Sequence, residues 1–402
     1  MKIGYAIFGI KEGIGGHFHS LVTIAGEISQ EFEVFVICVS EKMSPIIVDS
    51  GLPYIHIDSI RPFNSISKDI LDVIKTEDLS MIHCFDMFSF YFVSKVSNHC
   101  LLTKCGGVNP AYFPKSKFIS LFSKENFEFL KQNKKFKDSY ISLIPNRIKP
   151  FEQNVSLIRE LKIEYSIKED DLVIVKISRF ASYYKRSLIQ TVELYEELID
   201  SMPSKRIKLI IIGVVQDELF FNDFNNRVKN IPGIVIVNKE KYIRDPKGLL
   251  SIADICVGSG RSFMEAACLG IPSGTHSQNG SFPNLVESTN FNNFFAYNFS
   301  ERSVSEKKDL DRLVDFKKVL SDKAYLEECS RYMRYISTTF FDVRSARSIY
   351  IDLYLKIIKK PYNLPLRDRI LFKIFMYYKY IKINGLQKVL RKVIFKNIYA
   401  SK

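Results

Sequence analysis

Short runs of β-branched and aliphatic residues, bounded by Gly, Asn, Pro or charged positions, alternate along this chain with helix-length stretches. In the first half these runs predict strands at Lys2–Phe8, Phe32–Val39, Tyr54–Ile57, Met81–Phe85, Leu101–Lys104 and Tyr140–Ile144. In the second half they predict strands at Leu172–Ser178, Ile207–Gly213, Ile234–Asn238, Ile255–Gly258 and Ile271–Gly274. Strands buried on both faces read as near-continuous apolar runs, and parallel neighbours need helical crossovers. The pattern therefore predicts βαβ units in parallel sheets. The series restarts after about residue 165, which predicts two α/β domains. Pro145 and Pro150 punctuate the crossing, so the hinge is placed between about 146 and 168. The expected organisation is a first domain over 1–155, a second over 165–340, a helical segment near 343–360 and a tail over 361–402.

Length and composition agree with two globular domains: 402 residues, 46% hydrophobic and 25% charged. The N-terminus, Met1–Ile10, has a single Lys and a short apolar stretch, meets Lys11 and Glu12 at once and lacks a small-residue cleavage site; it reads as a first strand. No apolar run of about 18 residues is present, so no spanning helix is expected. The seven cysteines (Cys38, Cys84, Cys100, Cys105, Cys256, Cys268 and Cys329) are odd in number and form no CxxC. Their spacing argues against a disulfide framework or a zinc site and fits a reducing compartment. Net charge is +14 and uneven: residues 361–402 hold ten Lys/Arg and one Asp, a net +9, against +5 for the other 360. Such a tail favours an acidic surface as partner.

Three constellations carry candidate chemistry. Gly13-Ile14-Gly15-Gly16 follows the first strand and opens a helix, where glycines let backbone approach a ligand and free N–H groups meet an anion. A tight strand-to-helix turn is the plainer reading. Ser178-Arg179-Phe180 ends a strand six residues before Lys185-Arg186, which opens the next helix. Cations at a helix N-terminus oppose its dipole, so an anion placed between Arg179 and Lys185 explains them better than a solvated face. The third runs from Asp254 to Pro272: a strand, the Gly258-Ser259-Gly260-Arg261 loop, and a helix carrying Glu265 in its first turns. Loop amides there suit phosphate, and Glu265 suits a pair of ribose hydroxyls.

In order and spacing these motifs, with Pro145-Asn146 and Gly213, resemble those of GT-B-fold glycosyltransferases close to family 4 of the retaining enzymes, over roughly residues 1–355. The resemblance implies an α/β fold of two Rossmann-like, doubly wound parallel-sheet domains facing a cleft, with a C-terminal helix near 343–360 crossing back to complete the N-terminal domain. It implies that Arg179 and Lys185 bind the donor pyrophosphate and stabilise it as leaving group, and that Glu265 is the second Glu of an E-x7-E motif and holds the ribose. Gly15 and Gly16 match the loop that closes on phosphates or acceptor. The implied activity is transfer of a hexose from a nucleotide-sugar donor with retention, without a metal or other cofactor. The implied acceptor is a lipid-linked glycan in bacterial surface polysaccharide or lipopolysaccharide assembly, reached from the cytoplasmic face of the cell membrane.

The chain departs from that pattern in two places. The first Glu of E-x7-E falls at Val257, which leaves Ser259, Arg261 and loop amides to meet the donor sugar. The family's His after the fifth strand is replaced within Thr103-Lys104-Cys105-Gly106-Gly107, where Lys104 and Cys105 become sugar-contact candidates. These departures keep two alternatives open: a GT-B-type nucleotide-sugar epimerase or hydrolase, and a non-catalytic binding protein. His17 and His19 beside the glycine loop are acceptor candidates, and His83 lies next to Cys84 and Asp86 at a strand end. His56, His99 and His276 carry no signal. Asp309-Leu310-Asp311 matches the metal-binding DxD of another glycosyltransferase fold, yet reads as a charged helix face. In the tail, Leu386, Val389, Leu390, Val393 and Ile394 share a helical face opposite Lys388, Arg391, Lys392 and Lys396. Together with Lys373, Lys379 and Lys382 they predict a basic amphipathic element over 361–402 that meets an anionic membrane surface; no nucleic-acid motif accompanies the charge.

Overall fold

The computed structural model describes residues 1–9 and 11–384, with side chains to Ile381. It forms two compact units: Met1–Arg147 together with the chain from Val343 onward, and Ile148–Asp342. Unit 1 contains β1 (Lys2–Phe8), β2 (Glu33–Ser40), β3 (Tyr54–Asp58), β4 (Met81–Cys84), β5 (Cys100–Lys104), β6 (Phe118–Leu121) and β7 (Tyr140–Leu143). They make one parallel sheet in the order β3-β2-β1-β4-β5-β6-β7. Unit 2 contains β8 (Leu172–Ile177), β9 (Ile207–Ile212), β10 (Ile234–Val237), β11 (Ile255–Val257), β12 (Ser273–Thr275) and β13 (Asn284–Leu285). Its order is β10-β9-β8-β11-β12-β13, parallel except for β13. Each sheet reverses its winding once, at β1/β4 and at β8/β11, and a doubly wound sheet opens its ligand crevice beyond the carboxyl ends of such strands.

Side-chain alternation explains the two-layer cover of unit 1. Ile3, Tyr5 and Ile7 of β1 face a core completed by Tyr350, Leu353, Tyr354 and Ile357 of the Arg347–Lys359 helix. Ala6 and Phe8 face the opposite core, which contains Phe372, Met376 and Tyr380 of the Leu366–Asn384 helix. The second of these helices lies within the tail. Its inner face is packed, and Leu366, Ile370, Ile374 and Tyr378 form an outer i, i+4 stripe that is 52–71% exposed. The predicted amphipathic pattern from Leu386 to Lys396 lies outside the described residues. Among those described, no helix is long and apolar enough to cross a membrane.

Unit 2 has apolar cores on both sheet faces, Ile174, Leu209 and Ile211 on one and Val173, Val175, Ile210 and Ile212 on the other. The Val155–Glu164 helix, left between the predicted domains, belongs here, because Leu161 packs with Ile167, Val173 and Tyr242. An aromatic cluster of Phe263, Phe291, Phe294, Phe299 and Phe341 fills the end of the unit. The bond from Ile148 N–H to the Phe341 carbonyl, 2.7 Å, ties the two ends of the unit together there. All seven cysteines are free.

Candidate functional site

In unit 2 the segment after β8 carries Arg179, half-buried, two residues beyond the strand end. Its conformation requires the neighbouring glycine: a Cβ on Gly213 would lie 1.6 Å from the Ser178 carbonyl oxygen. Phe180 anchors the segment in the core, and Lys185 begins the Lys185–Ser201 helix. That helix continues from a 3-10 turn over Ser182–Tyr184, in which Tyr184 N–H and Lys185 N–H donate to the Ala181 and Ser182 carbonyls; with no acidic residue in its first turn, the exposed Lys185 and Arg186 add to the positive potential of the helix start. An open cavity of about 490 Å³ lies there, lined by Tyr183, Lys185, Arg186, Gln190, Gly280 and Ser281, among others. Its lining takes in Lys185 but not Arg179 or Glu265. Arg179 bears on the same region through Tyr184, whose phenol burial pushes up and Arg179 pulls down.

At the end of the adjacent strand β11, Gly258-Ser259-Gly260 leads into the Arg261–Cys268 helix. Gly260 has φ 55° and ψ −117°, open to glycine alone. Ser262 locks the turn, its Oγ accepting from Ser259 N–H and donating to the Ser259 carbonyl, both at 3.1 Å. Glu265 is 7% exposed, and its Oε1 accepts from Arg261 Nε at 2.7 Å. Burial pushes the Glu265 carboxyl up, while Arg261 and Lys247 pull it down. Arg261, a candidate for sugar hydroxyls, is thus engaged with Glu265. Val257 sits fully buried in the core.

A buried polar chain connects β8 to the cavity. Lys176 Nζ donates to His276 Nε2 at 2.8 Å, and His276 Nδ1 donates to Gln190 Oε1 at 3.0 Å. Gln190 Nε2 in turn donates to the Gly280 carbonyl at 2.8 Å and the Ser277 carbonyl at 3.3 Å. The directions follow from the ammonium, which only donates, and the imidazole is neutral because burial drives its pKa well down. Burial likewise lowers Lys176 to about 7, against weaker upward pulls from Cys256 and Glu301. The same cavity wall is fixed from outside by Asp309, whose carboxylate accepts from Ser281 N–H at 2.9 and 3.0 Å. Half of the Asp-Leu-Asp sequence therefore organises this loop, while Asp311 is exposed as a charged helix face. Sequence reasoning missed Lys176, His276 and Gln190. The available signal was a lysine inside the buried run Leu-Val-Ile-Val-Lys-Ile.

In unit 1, Gly15 precedes and Gly16 begins the Gly16–Ile28 helix after β1, with half-buried His17 and His19 in its first turn. Ser20 Oγ donates to Asn146 Oδ1 at 2.8 Å, which places the Pro145-Asn146 crossing beside this helix. Lys104 is bound within its own turn, to the Gly106 and Gly107 carbonyls and to Asn126 Oδ1. The Cys105 thiol reaches the Phe85 carbonyl, 3.5 Å away, and burial pushes its pKa up. His83 is fully buried between Tyr354 and Thr103, at 2.8 and 2.5 Å, and burial lowers it to about 3, a structural role. Asp86 caps the Met87–Val93 helix, accepting from Phe88 N–H and Ser89 N–H.

Two doubly wound sheets, a glycine-rich turn after β1 and a basic helix start beyond β8 define the GT-B fold, and comparison of coordinates agrees. A glycosyltransferase from Rickettsia africae superposes with a TM-score of 0.64 at 16% identity, covering 89% of this chain and 99% of that one. HepE from Anabaena, in complex with UDP-glucose, gives 0.65 at 10% identity over 88% and 99%. The UDP-GlcNAc 2-epimerase of Neisseria meningitidis, bound to UDP-GlcNAc, gives 0.54 at 11% identity over 89% and 100%. No protein-family model and no curated protein sequence matches the chain.

Proposed function

We propose that this protein is a retaining hexosyltransferase that takes a nucleotide-sugar donor in unit 2 and glycosylates a lipid-linked glycan in bacterial surface polysaccharide or lipopolysaccharide assembly. The observation that carries this is the cavity of about 490 Å³ where Lys185, Arg186 and the helix start meet the Gly280–Ser281 wall. In this reading the donor diphosphate lies against Lys185, with Arg179 and the Gly258–Arg261 amides completing its cover, and Glu265 takes the ribose hydroxyls. Negative charge grows on the diphosphate as the glycosidic bond breaks. Fixed cations and backbone dipoles stabilise that charge without a metal. Gly15, Gly16, His17 and His19 receive the acceptor. The acceptor is presented at the inner face of the cell membrane, against which the tail lies.

Donor binding is tested first, by thermal shift with a panel of nucleotides and nucleotide sugars, since a ligand that binds only the native state raises its Tm. With the donor in hand, Lys185→Ala is expected to lower kcat by roughly 100-fold or more, the scale of one lost charge-stabilising contact. Unchanged kcat in the folded variant rejects the role. A second reading, a GT-B-type epimerase or hydrolase, is favoured by the likeness to the Neisseria enzyme and by Val257 in place of the first Glu. Product analysis without acceptor separates the two: fast conversion of the nucleotide sugar alone supports the second.

A further inference from the structure

Beyond the helix that follows Gly260, the chain returns to the same turn. Asn298 and Phe299 both adopt left-handed backbone conformations, φ 55° and 52°, uncommon for non-glycine residues and costly for a bulky Phe. They are held there from three sides. Gly260 N–H and Thr275 Oγ1 donate to the Phe299 carbonyl at 3.1 and 3.0 Å, and the Phe299 ring stacks on Phe263 at 3.9 Å between centroids. This strained turn delivers Glu301, whose Oε2 is shut off from solvent and has no hydrogen-bond partner. Asn298 Oδ1, three residues before it, is in the same condition. Burial pushes the Glu301 carboxyl up, and Lys176, Arg186 and Arg302 pull it down; Glu301 itself acts on the Tyr184 phenol beside Arg179. Two residues after the carbonyl that Gly260 N–H bonds, the carboxylate thus follows a turn held against the Gly258–Arg261 loop of the candidate donor site, though it does not line the cavity itself.

Buried polar atoms in native structures almost always have a partner, from the protein, from water or from a bound group. A phosphate cannot be that partner, because it carries charge of the same sign. Hydroxyl groups can, since each donates to a carboxylate or amide oxygen. We infer that Glu301, with Asn298, binds the hydroxyls of the transferred sugar, the work left vacant by Val257. The inference rests on the proposed function, whose donor it deepens. Loss of the first E-x7-E carboxylate is then a relocation to a different loop, which reaches the same turn through the strained Asn298-Phe299 pair.

The test compares a nucleoside diphosphate with its own hexose conjugate, using the pairs UDP and UDP-glucose, GDP and GDP-mannose, and ADP and ADP-glucose, by isothermal titration of the full chain. Glu301→Ala is expected to weaken the conjugate roughly ten-fold or more and leave the bare diphosphate within about two-fold. Retained diphosphate binding also shows that the variant folds; if the alanine variant aggregates, Glu301→Gln, which keeps shape and loses charge, is measured the same way. Equal weakening of both ligands, or of neither, overturns the assignment and leaves the transferase reading standing. A wild-type protein that binds none of the three diphosphates overturns both.

Discussion

Lys176 shows how one residue couples the sheet to the site. A lysine at the centre of a parallel sheet loses its hydration, and its single strong compensation is the neutral His276 ring. Its pKa falls from 10.5 to about 7 on folding. Between those values the unfolded chain holds a proton that the folded chain does not, so stability rises with pH through that window and is lowest below it. His276 works in the same direction below its ordinary 6.5, because folding keeps it neutral. Wild-type protein is therefore expected to gain stability from pH 7 to pH 9, by up to about 1.4 kcal/mol per pH unit from Lys176. Lys176→Met removes that slope, and the difference between the two urea-unfolding curves isolates it from other titrating groups. Parallel pH profiles for both proteins would refute a lowered Lys176 pKa. At this scale the sequence pointed to chemistry in the loops and helix starts that follow strands, as at Arg179, Lys185 and Glu265, whose roles are those proposed above. It was silent for His276, Gln190 and Glu301, whose meaning comes from residues 86 to 125 positions away in the chain.

Element by element, strands with long apolar runs were legible to within one or two residues, and the two that were missed are short. Phe118–Leu121 is four residues flanked by Ser116-Lys117 and Phe122-Ser123, and Asn284–Leu285 is two. Neither offers enough alternation to outweigh a loop. The tail illustrates the opposite problem, since composition signalled a basic surface but not where its apolar residues go. In the Leu366–Asn384 helix the inner residues Phe372, Met376 and Tyr380 are buried in unit 1, while Leu366, Ile370, Ile374 and Tyr378 face out. Arg367, Arg369 and Lys373 are exposed beside them. An apolar stripe rimmed by cations suits an anionic lipid interface, where apolar burial and lysine attraction add. Ile370→Glu with Ile374→Glu is expected to weaken sedimentation with anionic vesicles roughly ten-fold or more, because two apolar contacts become like-charge repulsions. Equal sedimentation of variant and wild type rejects the membrane role for this stripe. The chain has no Trp, so Tyr378→Trp gives a background-free report of insertion through quenching by brominated lipid.

On the scale of the whole chain, two doubly wound sheets were legible because the strand–helix series begins twice. The discontinuity of unit 1 was not readable from periodicity, since nothing local in Arg347–Lys359 says which sheet it covers. Its placement follows from packing: Tyr354 Oη lies 2.8 Å from His83 Nδ1 and 3.1 Å from Tyr5 Oη, and Tyr350, Leu353 and Ile357 close the same core. Unit 1 is thus assembled from two segments some two hundred residues apart, whereas unit 2 is one uninterrupted stretch, Ile148–Asp342, that contains Arg179, Lys185, the Gly258–Arg261 loop and Glu265. These architectures predict different behaviour on excision. Residues 148–342 alone are expected to unfold cooperatively and to bind the donor nucleotide within about ten-fold of the full chain, because both sheet faces keep their cover. Residues 1–147 alone would expose the core that Tyr350, Leu353, Tyr354 and Ile357 close, with His83 losing its Tyr354 partner, and are expected to aggregate or to unfold without cooperativity. Adding 343–384 through a short flexible linker is expected to restore a cooperative transition. A soluble, cooperative 1–147 fragment would show that the returning helices decorate the first sheet, whereas failure of 148–342 to bind nucleotide would move part of the donor site out of unit 2.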